Sequence, residues 1–185
     1  MFDEIISLEN LFAAWRESRR GKRGRKDVQE FERHLEDNVF ALHDDLVSGQ
    51  YRHGSYHKFH IFDPKHRVIH KASVRDRLVH HAVYRILYSV FDRSFVHDSY
   101  SCRIGKGTHA AVNRLNVFAR KVSKNYTRPC SVLKFDIKKF FDSVDHEVLL
   151  GVLGDKLKVA PSVMELLAEI VGSFPQGAKS RGGGR

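Results

Sequence analysis

The chain has 185 residues and a formal net charge of +10, from 32 Lys and Arg against 22 Asp and Glu. That length suits one domain or the front part of something larger, and 42% hydrophobic residues, with 13 Phe and 6 Tyr, supply a core. Whole-chain disorder is excluded, and so is a membrane-spanning helix, since no apolar run reaches about 18 residues.

Two cysteines, Cys102 and Cys130, lack CxxC spacing, which excludes a disulfide framework and a Cys-based zinc site. The start, MFDEIISLENLFAAW, carries acids where a secretory signal carries bases, so the expected compartment is the cytoplasm. A sequence pI near 9.8 points to a polyanionic partner, nucleic acid first.

In chain order, Ile5, Leu8, Leu11, Phe12 and Trp15 fall on a helical spacing. Residues 16–26, RESRRGKRGRK, hold seven Lys or Arg and two Gly, which predicts a flexible basic loop or arm. It is either a solvated surface or a phosphate-contacting element through Arg19, Arg20, Lys22, Arg23, Arg25 and Lys26, because clustered cations release counterions from a nucleic-acid backbone. Residues 27–48 predict one helix, with Phe31, Leu35, Val39, Leu42 and Leu46 in a stripe, Asp27 as a cap and Gly49 as the stop.

Residues 55–62 and 67–72 predict two strands joined by the turn Asp63-Pro64-Lys65-His66, a β-hairpin with a basic tip. Residues 74–91 predict a helix with a broad apolar face. Thr108 is expected to cap a further helix to about residue 122. Residues 131–136, SVLKFD, predict a buried strand ending on an acid, and helices follow at 145–157 and 161–172. The tail, SFPQGAKSRGGGR, has no apolar pattern and looks like a loop cut in the middle; no internal repeat is present.

The strand ending on Asp136 is the strongest chemical signal. A carboxylate at a strand end can hold Mg²⁺, which takes oxygen ligands and commonly one or two protein carboxylates. Nucleotidyl transfer commonly uses two such metals. Read plainly, Asp136 is instead a turn former, and Asp142, Ser143 and Asp145 are helix caps. His57, His60, His66 and His70 have no zinc-ligand spacing, and the GKGT around Lys106 lacks the full P-loop. Tyr51, Tyr56, Phe59 and Tyr100 are candidates for base stacking or for the core.

Three ordered motifs carry a resemblance. FDIKKFFDSVDH resembles the first palm motif of the bacterial reverse transcriptases of group II introns, retrons and diversity-generating retroelements. YHKFHIFDPKHRVIHKASVRDRLVHHAV resembles the preceding fingers motif, and DSYSCRIGKGTHAAV the block between them. The resemblance runs from about residue 30 to 172. The DPK-x-R, DR-x-V-H-H and SCR-x-GKGTH forms lean toward the diversity-generating or related enzymes.

The resemblance implies an α+β fold: a fingers subdomain of helices plus a hairpin, leading into a truncated palm. It implies RNA-directed DNA polymerase activity on an RNA template and DNA primer with dNTP and Mg²⁺. Asp136 matches the first catalytic aspartate, and the backbone carbonyl of Ile137 a further metal contact. Phe141 matches the ring that screens the nucleotide 2′ position. Lys65 and Arg67 match the cations that hold the triphosphate. Arg103 matches an arginine read either as structural or as template-supporting, and Asp76-Arg77 a local surface pair or a stability element.

The sequence departs from the family pattern: the aromatic-x-Asp-Asp motif and the thumb are missing, and Pro175-Gln176-Gly177 poorly replaces a further palm motif. One aspartate cannot hold two metals, so the piece alone is expected to be inactive. The expected organisation is a helix and basic arm at 1–26, fingers at 27–128, the start of the palm at 129–173 and a tail at 174–185. Two rivals stand beside it: a non-catalytic RNA-binding module, maturase-like or defence-associated, and an unrelated duplex-DNA binder.

Overall fold

The computed structural model describes residues 1–174 except Lys139, Val159 and the side chain of Asp142. The expected tail, including Pro175-Gln176-Gly177, lies outside the described residues after Phe174. The chain forms two compact units: Met1–Tyr88 with the residues from Phe140 onward, and Ser89–Lys139. The second unit takes both the loop-and-helix block and the Asp136 segment. Among the described residues no helix is long and apolar enough to cross a membrane. The fold is mixed: helices plus one two-stranded antiparallel sheet.

The first unit opens with α1 (Phe2–Ile6) and α2 (Leu8–Ser18). The expected single helix is broken at Ser7, whose hydroxyl accepts from Asn10 N at 3.2 Å and caps α2. Ile5, Leu11, Ala14 and Trp15 are buried, as the spacing predicted for three of them. Asn10 is buried but satisfied: its amide donates to Ile5 O at 2.8 Å and Ala82 O at 3.1 Å, and its oxygen accepts from Arg85 Nε at 3.0 Å.

The helix expected over 27–48 is two helices, α3 (Lys26–Arg33) and α4 (Leu35–Val47). His34 leaves helical geometry with φ −123° and ψ 44°, and Asn38 donates to the freed Phe31 carbonyl at 3.0 Å. The apolar stripe survives the break, with Val39, Leu42 and Leu46 buried and the Phe31 ring 5.0 Å from Trp15. Gly49 does end the second helix, at φ +69°. Asp27 is not the cap; it sits in the first turn, where its carboxylate takes Lys71 at 2.7 Å and Arg77 at 2.6 Å.

Strands β1 (His57–Phe62) and β2 (His66–Lys71) form the expected hairpin, in a register running from His57↔Lys71 to Phe62↔His66. Helix α5 (Val74–Asp92) follows and buries Leu78, Val79, Ala82, Val83 and Leu87 on one broad face. Asp76 on the same helix is only 1% exposed, so it does not make a surface pair with Arg77. Its carboxylate accepts from Tyr51 Oη at 2.9 Å, Ser73 Oγ at 2.6 Å and Gly54 N at 3.2 Å. The close approach needs Gly54, because a Cβ there would lie 3.1 Å from Asp76 Oδ2.

His53 packs beside this cluster, stacked on His80 with Nε2 to Nε2 at 3.1 Å. His53 Nδ1 lies 2.6 Å from Gly54 O, which assigns the proton to Nδ1 and makes His80 the donor in the His–His bond. Both His80 and His81 are half-buried, rather than one packed and one exposed.

Later in this unit come α7 (Phe140–Ser143), α8 (His146–Leu157) and α9 (Pro161–Ser173). Asp145 caps α8 as expected, accepting from Glu147 N at 2.9 Å and Val148 N at 3.3 Å. Helix α9 is tied to the segment before the hairpin: Glu169 accepts from His53 N at 2.8 Å, and Ser173 Oγ lies 3.1 Å from Tyr56 Oη.

The second unit is a loop, helix α6 (Thr108–Val122), and an extended segment. Gly107, not Thr108, takes the N-cap position. Ser123 alone among the described residues of this unit is fully buried. The strand expected at 131–136 does not form, and its apolar side chains stand in solvent: Leu133 and Phe135 are each 84% exposed. The physical reason is pairing: a strand needs a neighbour for its N–H and C=O groups, and among the described residues the only sheet is β1–β2.

Candidate nucleic-acid interface

The hairpin carries the site. One face presents Lys58, His60 and Phe62 opposite His70, Val68 and His66; the other presents His57, Phe59 and Ile61 opposite Lys71, Ile69 and Arg67. Lys65 stands in the three-residue connection and Arg67 on the adjoining strand, both exposed. The structure therefore brings these two expected triphosphate cations together on one projecting element.

Flat rings line the neighbouring face. Phe62 stacks on His66 at 4.8 Å, and His66 on His60 at 5.0 Å, nearly parallel. His60 Nδ1 and His66 Nε2 are 2.7 Å apart, so one ring donates to the other. Phe62 is 75% exposed, so its ring is open to solvent beside the two imidazoles. The hairpin's base is anchored. Lys71 binds Asp27, and His70 meets the Phe174 ring edge at 5.4 Å. Burial raises the Asp27 pKa, but the hydrogen bonds from Lys71 and Arg77 outweigh it and hold the carboxyl below its ordinary value.

The basic stretch 16–26 is more ordered than its composition predicted. It continues α2 to Ser18, then closes a turn through Lys22 N to Arg19 O at 2.9 Å and Arg25 N to Lys22 O at 3.0 Å. Arg20, Arg23 and Arg25 are exposed, and Lys26 opens α3. Arg19 is spent inward, paired with Glu32, and Lys22 is half-buried. Phe141 lies on α7, 79% exposed, against the Phe140 ring at 5.3 Å.

The second unit holds Arg103, Asp136 and Ile137. The Arg103 guanidinium is fully engaged: Nε donates to Asp92 at 2.7 Å, and the Nη groups donate to the carbonyls of Asp92, Val96 and Ser99. Its side chain is 8% exposed. Of its two expected roles, bracing the loop is the one these bonds supply. Nearby, the Arg114 hydrogen bond lowers the Asp98 pKa to about 2.

Asp136 and Ile137 stand in the exposed extended segment, Ile137 61% exposed. Among the described residues no three His, Cys, Asp or Glu side chains gather to hold a metal ion. The hairpin histidines likewise form no zinc cluster. Of the candidate stacking rings, Tyr51 is 4% exposed and belongs to the core, while Tyr56 leans on His53 at 4.9 Å. Cys102 and Cys130 are both exposed.

Of the two readings of Asp76, the stability element fits its burial; the partners themselves, Tyr51, Gly54 and Ser73, left no signal in the sequence.

The chain matches no protein-family model and no curated protein.

Proposed function

We propose that the chain is the fingers and the opening of the palm of an RNA-directed DNA polymerase of the bacterial retroelement type. In that reaction a primer 3′-hydroxyl attacks the α-phosphate of a dNTP, and pyrophosphate leaves. The observation that carries the proposal is the hairpin anchored at its base, with Lys65 in its connection and Arg67 at the start of β2 both exposed. Two cations on a rigid lever suit a triphosphate, because charge-assisted bonds to phosphate strengthen where water is excluded. The exposed Arg20, Arg23 and Arg25 on the basic turn supply contacts to the RNA backbone.

Asp136 contributes one carboxylate to catalysis, and Phe141 screens the sugar of the incoming nucleotide. In this reading the Asp136 carboxylate and the Ile137 carbonyl would hold Mg²⁺, which would supply charge stabilisation to the phosphoryl transfer, and further acidic ligands would have to come from outside the described residues. The test is extension of a primed RNA by the protein of the complete reading frame, with dNTPs and Mg²⁺. Template-dependent DNA product supports the assignment.

A second reading is an RNA-binding module without catalysis. It keeps the exposed Arg20, Arg23 and Arg25 of the basic turn as the RNA contacts and needs no metal. It predicts RNA affinity without extension.

A further inference from the structure

Among the described residues, the buried donors Trp15 Nε1 and Arg19 Nε meet no protein acceptor. Trp15 is 2% exposed, and a buried unpaired N–H costs free energy that native structures nearly always recover. Both residues line one small cavity of about 20 Å³, together with Ser18, Lys22, Val28, Val74, Arg77 and His81. That volume admits one body of about the size of a water molecule.

The wall is rich in donors and cations. Among the described residues no acid lines it: Glu32, which pairs with Arg19, and Asp27, which takes Lys71 and Arg77, lie outside the lining. The Ser18 hydroxyl already donates to Trp15 O at 3.0 Å. The field is positive as well. His81 is held below its ordinary pKa by burial first, and then by the charge of Lys22, with Arg77 adding to it against Glu17. An occupant that accepts hydrogen bonds and carries negative charge meets Trp15 Nε1, Arg19 Nε and the Lys22 charge at once.

We propose that the cavity is a binding site for a single monovalent anion of halide size, held by Trp15 Nε1 and Arg19 Nε within the field of Lys22. The ion ties α2 to the basic turn, because Arg19 and Lys22 begin and stabilise that turn. The site is independent of the polymerase reading and stands or falls apart from it.

Trp15 is the chain's single tryptophan, so its emission reports on the cavity. Sodium bromide is titrated into the 185-residue chain at constant ionic strength, balanced with sodium gluconate, whose anion is too large for the cavity. The expected result is saturable quenching. Its half-saturation rises at least about tenfold in Arg19→Met, the usual scale for losing a charged hydrogen bond. It stays unchanged in Arg16→Gln, which removes the same charge from α2 outside the cavity. Quenching that is linear in bromide in every variant overturns the proposal. If Arg19→Met does not fold, crystals of the unchanged chain grown with bromide decide: an anomalous peak against Trp15 Nε1 supports the site, and a water there overturns it.

Discussion

The Tyr51 hydroxyl donates to the buried Asp76 carboxylate at 2.9 Å, joining the segment before the hairpin to α5. Burial and the Asp76 charge keep the phenol protonated and therefore a permanent donor. Tyr51→Phe removes one of three donors to a buried carboxylate, and the expected loss is about 1–3 kcal/mol. Urea unfolding measures it. Asp76→Ala strands the Tyr51, Ser73 and Gly54 donors together and is expected to cost more. A Tyr51→Phe loss under about 0.5 kcal/mol, the scatter of ordinary surface changes, contradicts the role given to this bond.

His80 makes stability depend on pH. Burial first, and then His53, lower its pKa from 6.5 to about 4. The unfolded chain therefore takes up the proton first as pH falls. The contribution is whole above about pH 6.5, declines between about 6.5 and 4, and then levels, with a total of at most about 3 kcal/mol. Urea midpoints across that range measure the slope. His80→Gln keeps a donor toward His53 and is expected to flatten it; an unchanged slope assigns the effect to other groups.

Most helices were legible because they carry one face at a regular period: α5 shows Leu78, Ala82, Ile86 and Val79, Val83, Leu87, Val90 as adjacent rows, and all but the half-buried Ile86 and Val90 are core. The hairpin was legible from its turn residues, with boundaries off by a residue or two. The break at His34 was hidden because Phe31 and Leu35 continue the stripe across it. The partners of Asp76 were hidden because only the folded chain gathers them. The segment 131–136 has the composition of a strand, but composition does not provide a partner to pair with. Lys65 and Arg67 were placed together by two positions of spacing, whereas the Trp15 and Arg19 donors leave no sequence signal.

The basic turn is expected to act on RNA mainly through phosphate charge. Replacing Arg20, Arg23 and Arg25 together by Gln is expected to lower the slope of log affinity against log salt by about 2 on a single strand. Fluorescence anisotropy across a salt series gives the slope. Because the three side chains are exposed, thermal stability should hardly move. An unchanged slope would remove the turn from the interface.

The hairpin cations are expected to act on nucleotide rather than on template. Lys65→Ala and Arg67→Ala should each raise the KM for dNTP in the complete protein about tenfold or more, since each removes a charge-assisted contact. RNA affinity should change little. Steady-state extension at varied dNTP separates the two effects. A loss of RNA binding with unchanged KM would place these side chains on the template instead.

Asp136 carries the central claim. The most direct measurement compares primer extension on an RNA template by the complete protein with that by Asp136→Ala, beside RNA affinity for both. The expected result is extension that falls about a thousandfold or more in Asp136→Ala, the scale of several kcal/mol at a reacting centre, with RNA affinity unchanged. Extension that survives the substitution would contradict the catalytic assignment of Asp136, and RNA binding without extension by a folded complete protein would contradict the polymerase reading itself.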